Sequence, residues 1–122
     1  MTLTINDLIE RKDLIEKRDD EKITLEVKDV GAFEFRVPTL DDIEDMEAYQ
    51  EGEKAEAYIV SACSVNPRFS DGEVVKAYEA LDGAEVVEKF FKPGHVRWLS
   101  LNLLKAAGYD EKLVRVVEKT KN

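Results

Sequence analysis

Hydrophobic positions change their period twice along the chain, and the changes mark its parts. Ahead of residue 22, Ile5, Leu8, Ile9, Leu14 and Ile15 follow helical spacing behind a Thr4 cap, but Arg11, Lys12 and Asp13 interrupt their narrow edge. Glu16 to Lys22 is wholly charged and predicts a solvated helix end plus connector, so residues 1–21 are expected to form a mobile arm. From Lys22 to Pro38 the period is two. Ile23, Leu25 and Val27 alternate with Thr24, Glu26 and Lys28, and Phe33, Phe35 and Val37 alternate with Glu34 and Arg36. This predicts a β-hairpin over 22–38, turning through Asp29-Val30-Gly31-Ala32, with one apolar face. Because a lone hairpin is marginal in water, that face must rest on helices or on another strand.

Beyond Pro38 the helical period returns. Thr39 precedes Leu40, Ile43, Met46 and Tyr49 on a segment rich in Asp and Glu, where acid in the first turn favours the positive end of the helix. Gly52 interrupts; Ala55, Tyr58, Ile59, Ala62 and Cys63 then predict a second helix that Asn66-Pro67 ends. Ser70 and Glu73 have capping-box spacing and predict a helix from Asp71 to Leu81, carrying Val74, Val75 and Tyr78. Asp82 and Glu85 repeat the signal for Val86, Val87, Phe90 and Phe91, and Lys92-Pro93-Gly94 stops that helix. Next comes a helix from His95 to Ala107, closed by Gly108, whose stripe is Val96, Leu99, Leu103, Ala106 and Ala107. Leu104 and Leu101 lie further round it, and Trp98 falls nearly opposite the stripe. A helix apolar on most sides is expected at the centre of its domain; the alternative is that Trp98 and Leu101 form a docking surface. After an Asp110 cap, Leu113, Val114, Val116 and Val117 predict a last helix that frays over Glu118 to Asn122. The predicted class is α+β, mainly helical: an N-terminal helix, one β-hairpin and a bundle of short helices over 39–119, in a single domain spanning 1–122.

Charge changes this picture. Residues 1–88 carry 10 Lys+Arg against 24 Asp+Glu, a balance of −14, and residues 89–122 carry 8 against 3, a balance of +5, which together return the net −9. An acidic body argues against nucleic acid as a partner and is compatible with head-to-tail self-association or a basic partner. A single cysteine, Cys63, excludes an intrachain disulfide and suits a reducing compartment; there is no long apolar run, so no membrane is expected and the cytosol is. Candidate chemistry is sparse. Cys63 and the single histidine, His95, formally allow a nucleophile pair, but Cys63 has the small apolar neighbours of a core residue. The usual zinc ligand sets, calcium-loop spacing and phosphate-cradling glycine motifs are absent, so no cofactor or metal and no catalytic residue is assigned, and the chain is not expected to be an enzyme.

The run Phe33-Glu34-Phe35-Arg36-Val37-Pro38 leading into an acidic helix, and the stretch from Ser70 through Ala77-Tyr78 and Val86-Val87-Glu88-Lys89-Phe90-Phe91 to Gly94, resemble the tail assembly chaperones of long-tailed phages. The likeness is to the form in PBSX-type prophages of Gram-positive bacteria and covers nearly the whole chain. The resemblance implies a protein of the host bacterial cytoplasm, absent from the finished virion. Such a protein binds the tape measure protein, keeps it soluble, and is displaced as tail tube protein polymerises. It also implies a longer form made by ribosomal frameshifting that recruits tail tube protein; codons for Thr120-Lys121-Asn122 could contain the slippery heptamer. Candidate partner-binding residues are Phe33, Phe35, Phe90, Phe91, Trp98 and Leu101. A homo-oligomer remains compatible. Two other readings stay open: a small acidic inhibitor or mimic binding a basic protein, and a structural tail or head-completion protein.

Overall fold

In the computed structural model, which describes residues 2–49 and 52–119, the elements follow in order as α1 (Ile5–Glu10), α2 (Lys12–Glu16), β1 (Lys22–Val27), β2 (Gly31–Arg36), α3 (Leu40–Glu47), α4 (Gly52–Cys63), β3 (Ser64–Asn66), α5 (Gly72–Ala77), α6 (Gly83–Phe90) and α7 (Pro93–Ala106). The class is α+β and mainly helical. Thr4 opens α1 with a reciprocal cap: its hydroxyl accepts from Asp7 N at 3.2 Å while the Asp7 carboxylate accepts from Thr4 N at 2.9 Å. The helix breaks at Arg11, and neither α1 nor α2 has a buried residue, as a narrow interrupted edge requires.

The expected hairpin forms, with Ile23 opposite Phe35 and Leu25 opposite Phe33. Its turn uses Asp29 in the left-handed region, a conformation aspartate tolerates better than most residues. The sheet has a third strand that the alternating pattern does not predict. The chain passes from α4 directly into β3, which pairs antiparallel with β2 through Phe35↔Ser64 and Glu34↔Asn66, so the sheet order is β1-β2-β3. Three residues are too few to show an alternating pattern; what calls for them is the otherwise unpaired second edge of β2.

At the end of β2, Arg36 ties three elements together. Its Nη2 donates to Asp42 Oδ1 and to the Ala62 carbonyl, both at 2.9 Å, while Nη1 donates to Asp42 Oδ2. Asp42 is also the reciprocal partner of the Thr39 cap, accepting from Thr39 N at 2.8 Å. The hydrogen bond from Arg36, helped by those from Thr39 and opposed by burial, holds the Asp42 carboxyl down to about 2.

The central helix is α4, not α7. Ala57, Ile59, Val60 and Cys63 are fully enclosed by Phe35 of the sheet and by Val86 and Val87 of α6 and Val96, Leu99 and Leu103 of α7. Because only its Val96–Leu99–Leu103 side is taken up, α7 keeps its opposite side in water. Other boundaries differ from expectation: α7 begins at Pro93, not His95, with proline in its first turn. The cap of α5 is Asp71, whose carboxylate accepts from Glu73 N at 2.9 Å, while Ser70 lies against Gly83. That helix stops at Ala77 in a Schellman arrangement, with Glu79 left-handed, Ala80 N donating to Val75 O and Lys89 Nζ donating to the Tyr78 carbonyl at 2.9 Å. Gly108 closes α7 in the same way, with Tyr109 N donating to Leu104 O. The last expected helix is absent: only a 3-10 turn forms over Glu111–Leu113, and Val114 is extended. Three β-branched residues in four make a poor helix, and Leu113, Val114, Val116 and Val117 all stay exposed, so no packing stabilises one.

Asp42→Asn is expected to cost about 2 kcal/mol at neutral pH in urea unfolding, since it leaves Arg36 without its anion. The folded value of Asp42 lies below the ordinary 3.8, so its contribution is complete above that value and is lost as pH falls towards about 2. The gap between wild type and variant should close across that window. A second expectation concerns Gly83, where an added methyl would meet the Ser61 hydroxyl and lie 3.0 Å from the Ser70 backbone. Gly83→Ala should lower stability by about 1–3 kcal/mol, whereas Gly72→Ala, with open space around it, should leave the thermal midpoint nearly unchanged.

Candidate functional site

The six candidate residues separate by the face of the element that carries them. Phe35 is fully buried, and Phe33 and Phe91 are buried as well, in a ring cluster with Phe69: Phe33 lies 5.9 Å from Phe69 and 5.2 Å from Phe91, and Phe69 lies 5.6 Å from Phe91 between ring centroids. Alternation along β2 sends both Phe33 and Phe35 inward. Phe90 is the outer member of that cluster, 42% exposed, with its ring 4.8 Å from Phe91 and 6.4 Å from Tyr78. Trp98 at 64% and Leu101 at 37% exposure stand on the outer side of α7. In this fold Phe33, Phe35 and Phe91 build the interior, and Phe90, Trp98 and Leu101 are the three that solvent reaches.

Trp98 also forms one wall of a shallow groove between β1 and α7, lined by Leu25, Glu26, Val27 and Lys28 on the strand side and by His95, Trp98, Leu99 and Asn102 on the helix side. The His95 ring stands edge-on to Phe91 at 6.3 Å, and its Nδ1 is shielded from solvent without a hydrogen-bond partner among the described residues. A largely apolar groove beside a strand at the edge of a sheet suits an extended or amphipathic partner segment. Period and spacing do not reveal it, because that β1 is an edge strand and lies beside α7 is a matter of topology.

A second depression is lined by Glu53, Glu56, Glu88, Phe91, Pro93 and Arg97, with Arg97 paired to Glu56 at 3.3 Å. Burial pushes the Cys63 thiol up to about 12, so it stays protonated inside α4 and cannot act as a nucleophile near neutral pH. Among the described residues no group of three or more His, Cys, Asp or Glu is placed to hold a metal ion, and no helix is long and apolar enough to cross a membrane. Apolar residues also lie open on α1 and α2 (Ile5, Leu8, Ile9, Leu14) and after α7 (Leu113, Val114, Val116, Val117). Thr120, Lys121 and Asn122, on which the frameshift expectation rests, lie outside the described residues.

Residues 12–121 match the sequence model of a family described as phage XkdN-like tail assembly chaperone protein. The match covers most of the chain, which therefore belongs to that family. No curated protein and no solved structure matches it.

Trp98 is the sole tryptophan, so its emission reports on the outer side of α7 alone. Acrylamide is expected to quench it in the folded protein almost as efficiently as in urea; strong protection in the native state would show that this face is covered.

Proposed function

We propose that this tail assembly chaperone binds the tape measure protein in the host bacterial cytoplasm, keeps its apolar segments soluble, and is displaced when tail tube protein polymerises around it. It does so by holding, not by catalysis, and does not remain in the finished virion. The observation that carries this reading is the exposure of Trp98 and Leu101 on the outer side of α7, with Phe90 open on α6, on a protein of strongly negative net charge. A holding protein must offer apolar surface to a client while its own charge keeps the complex dispersed. The PBSX-type pattern of Phe33 to Pro38 and of the helices after Ser70 supports a prophage of a Gram-positive host as the setting. In the same reading, a frameshifted longer form recruits tail tube protein.

The test is co-expression with a tape measure protein from the same tail gene cluster. Wild type should bring it into the soluble fraction and co-purify with it in high salt, because apolar contact is weakly screened. Trp98→Ala should weaken the complex about 30-fold, the equivalent of ~2 kcal/mol for a central aromatic contact, and Trp98 emission should shift to the blue on binding. A complex that dissolves in moderate salt and ignores Trp98→Ala would instead favour an acidic mimic of a basic groove's ligand.

A further inference from the structure

The start of α7 stands between two depressions that share Gly94 in their linings. On one side is the groove of Leu25, Val27 and Leu99 beside Trp98, where Glu26 and Lys28 cancel in charge. On the other, Glu53 and Glu56 of α4 and Glu88 of α6 surround Phe91, Pro93 and Val96 in a space of about 350 Å³. Nothing lies within 4 Å of the Cβ that Gly94 lacks, so the ridge between the two is open. The only cation lining the second depression, Arg97, is taken by Glu56 at 3.3 Å. Glu53 and Glu88 are exposed and have no ion-pair partner among the described residues. The three carboxylates form no group that could hold a metal ion, but a long flexible cation needs no such convergence. Acid around an apolar floor matches a lysine or arginine side chain, whose methylene stem packs on apolar surface while its head stays at the charged edge.

We propose that the saddle at Gly94 seats a client segment in which a lysine or arginine neighbours large apolar residues. The basic side chain enters the depression between Glu53 and Glu88, and its apolar neighbours lie in the groove against Trp98. This rests on the client-holding reading above and names the chemistry of the segment held. Charge decides the occupant. A wholly apolar segment would cover Glu53 and Glu88 with nothing to replace the water they lose. An acidic one would be repelled by them and by a body of net charge −9. A basic segment without apolar neighbours would leave the Trp98 side of the saddle uncovered. Arg97 limits the attraction, because it occupies Glu56 and leaves two of the three carboxylates for the client.

Titration of the full chain with the tape measure protein of the same tail gene cluster, at low and at high salt, tests this. At low salt, Glu53→Gln with Glu88→Gln should bind about fivefold more weakly. Arg97→Gln should bind about twofold more tightly, because it releases Glu56 to the client. Both differences should vanish near 1 M salt, where charges are screened within about 3 Å, while the loss from Trp98→Ala persists. A merely structural role for these side chains would give neither the gain nor the salt dependence. Glu53, Glu88 and Arg97 are exposed, so circular dichroism should show unchanged folding. Among overlapping peptides of the tape measure protein, those retained should carry Lys or Arg beside large apolar residues. Changing that residue to Gln should weaken binding to wild type about fivefold and to the Glu53→Gln, Glu88→Gln variant hardly at all. Binding that Trp98→Ala weakens and the charge variants leave unchanged overturns the proposal and keeps the client reading, the occupant then being a wholly apolar segment. So do retained peptides without a basic residue. A wild type that binds the tape measure protein at neither salt overturns both.

Discussion

Complete burial of the second half of α4 is the constraint on which the other elements depend. Ala57, Ile59, Val60 and Cys63 occupy more than one side of that helix, so no single layer can cover it. The sheet closes one side, α6 and α7 close others, and α3 seals the remainder through Ile43 and Met46. Gly83 is where this arrangement is tightest: the first residue of α6 sits against Ser61 of α4 and the backbone of Ser70, and only a hydrogen leaves room there. Ser64 performs a related task at the other end, donating to the Ser61 carbonyl at 2.7 Å and accepting from Phe69 N at 3.2 Å, so that the chain can leave the helix and enter β3 without unsatisfied groups.

Polar ties at the rim align the layers around this helix. The forked contact of Arg36 with Asp42 and the Ala62 carbonyl joins the end of the hairpin, the start of α3 and the last turn of α4. A planar guanidinium suits this place because it can serve a carboxylate and a carbonyl at once. With α4 covered, little remains for α1, α2 or the residues after α7 to pack on, and their apolar side chains stay in water. In a chaperone of tail assembly this division has a direct use. The folded part is a negatively charged body, and the outer side of α7 and the segments at either end leave apolar side chains in water.

Fold and surface were legible in the sequence to different depths. Local chemistry determined where most elements begin and end: Thr4 and Thr39 as caps, Asp82 with Glu85, the alternation of β1 and β2, and Gly108 at the close of α7. Each of those signals acts within one turn or one strand pair, so neighbours in the chain suffice. The split among the six candidate residues was beyond that reach, because Phe90 and Phe91 are adjacent in sequence and only their neighbours in space send one inward and the other out.

Tertiary structure alone decided four matters. It chose α4 over α7 as the central helix, because centrality depends on how many elements converge on a helix and not on its own composition. It made three residues after Cys63 into a strand, since β2 had an edge to fill. It left Leu113 to Val117 without a helix, where a periodic stripe had no face to rest on. And it turned Asp42 from one acid among many in a helix's first turn into the anion that Arg36 requires. Hydrophobic period records which side of an element avoids water, but only packing decides what that side meets.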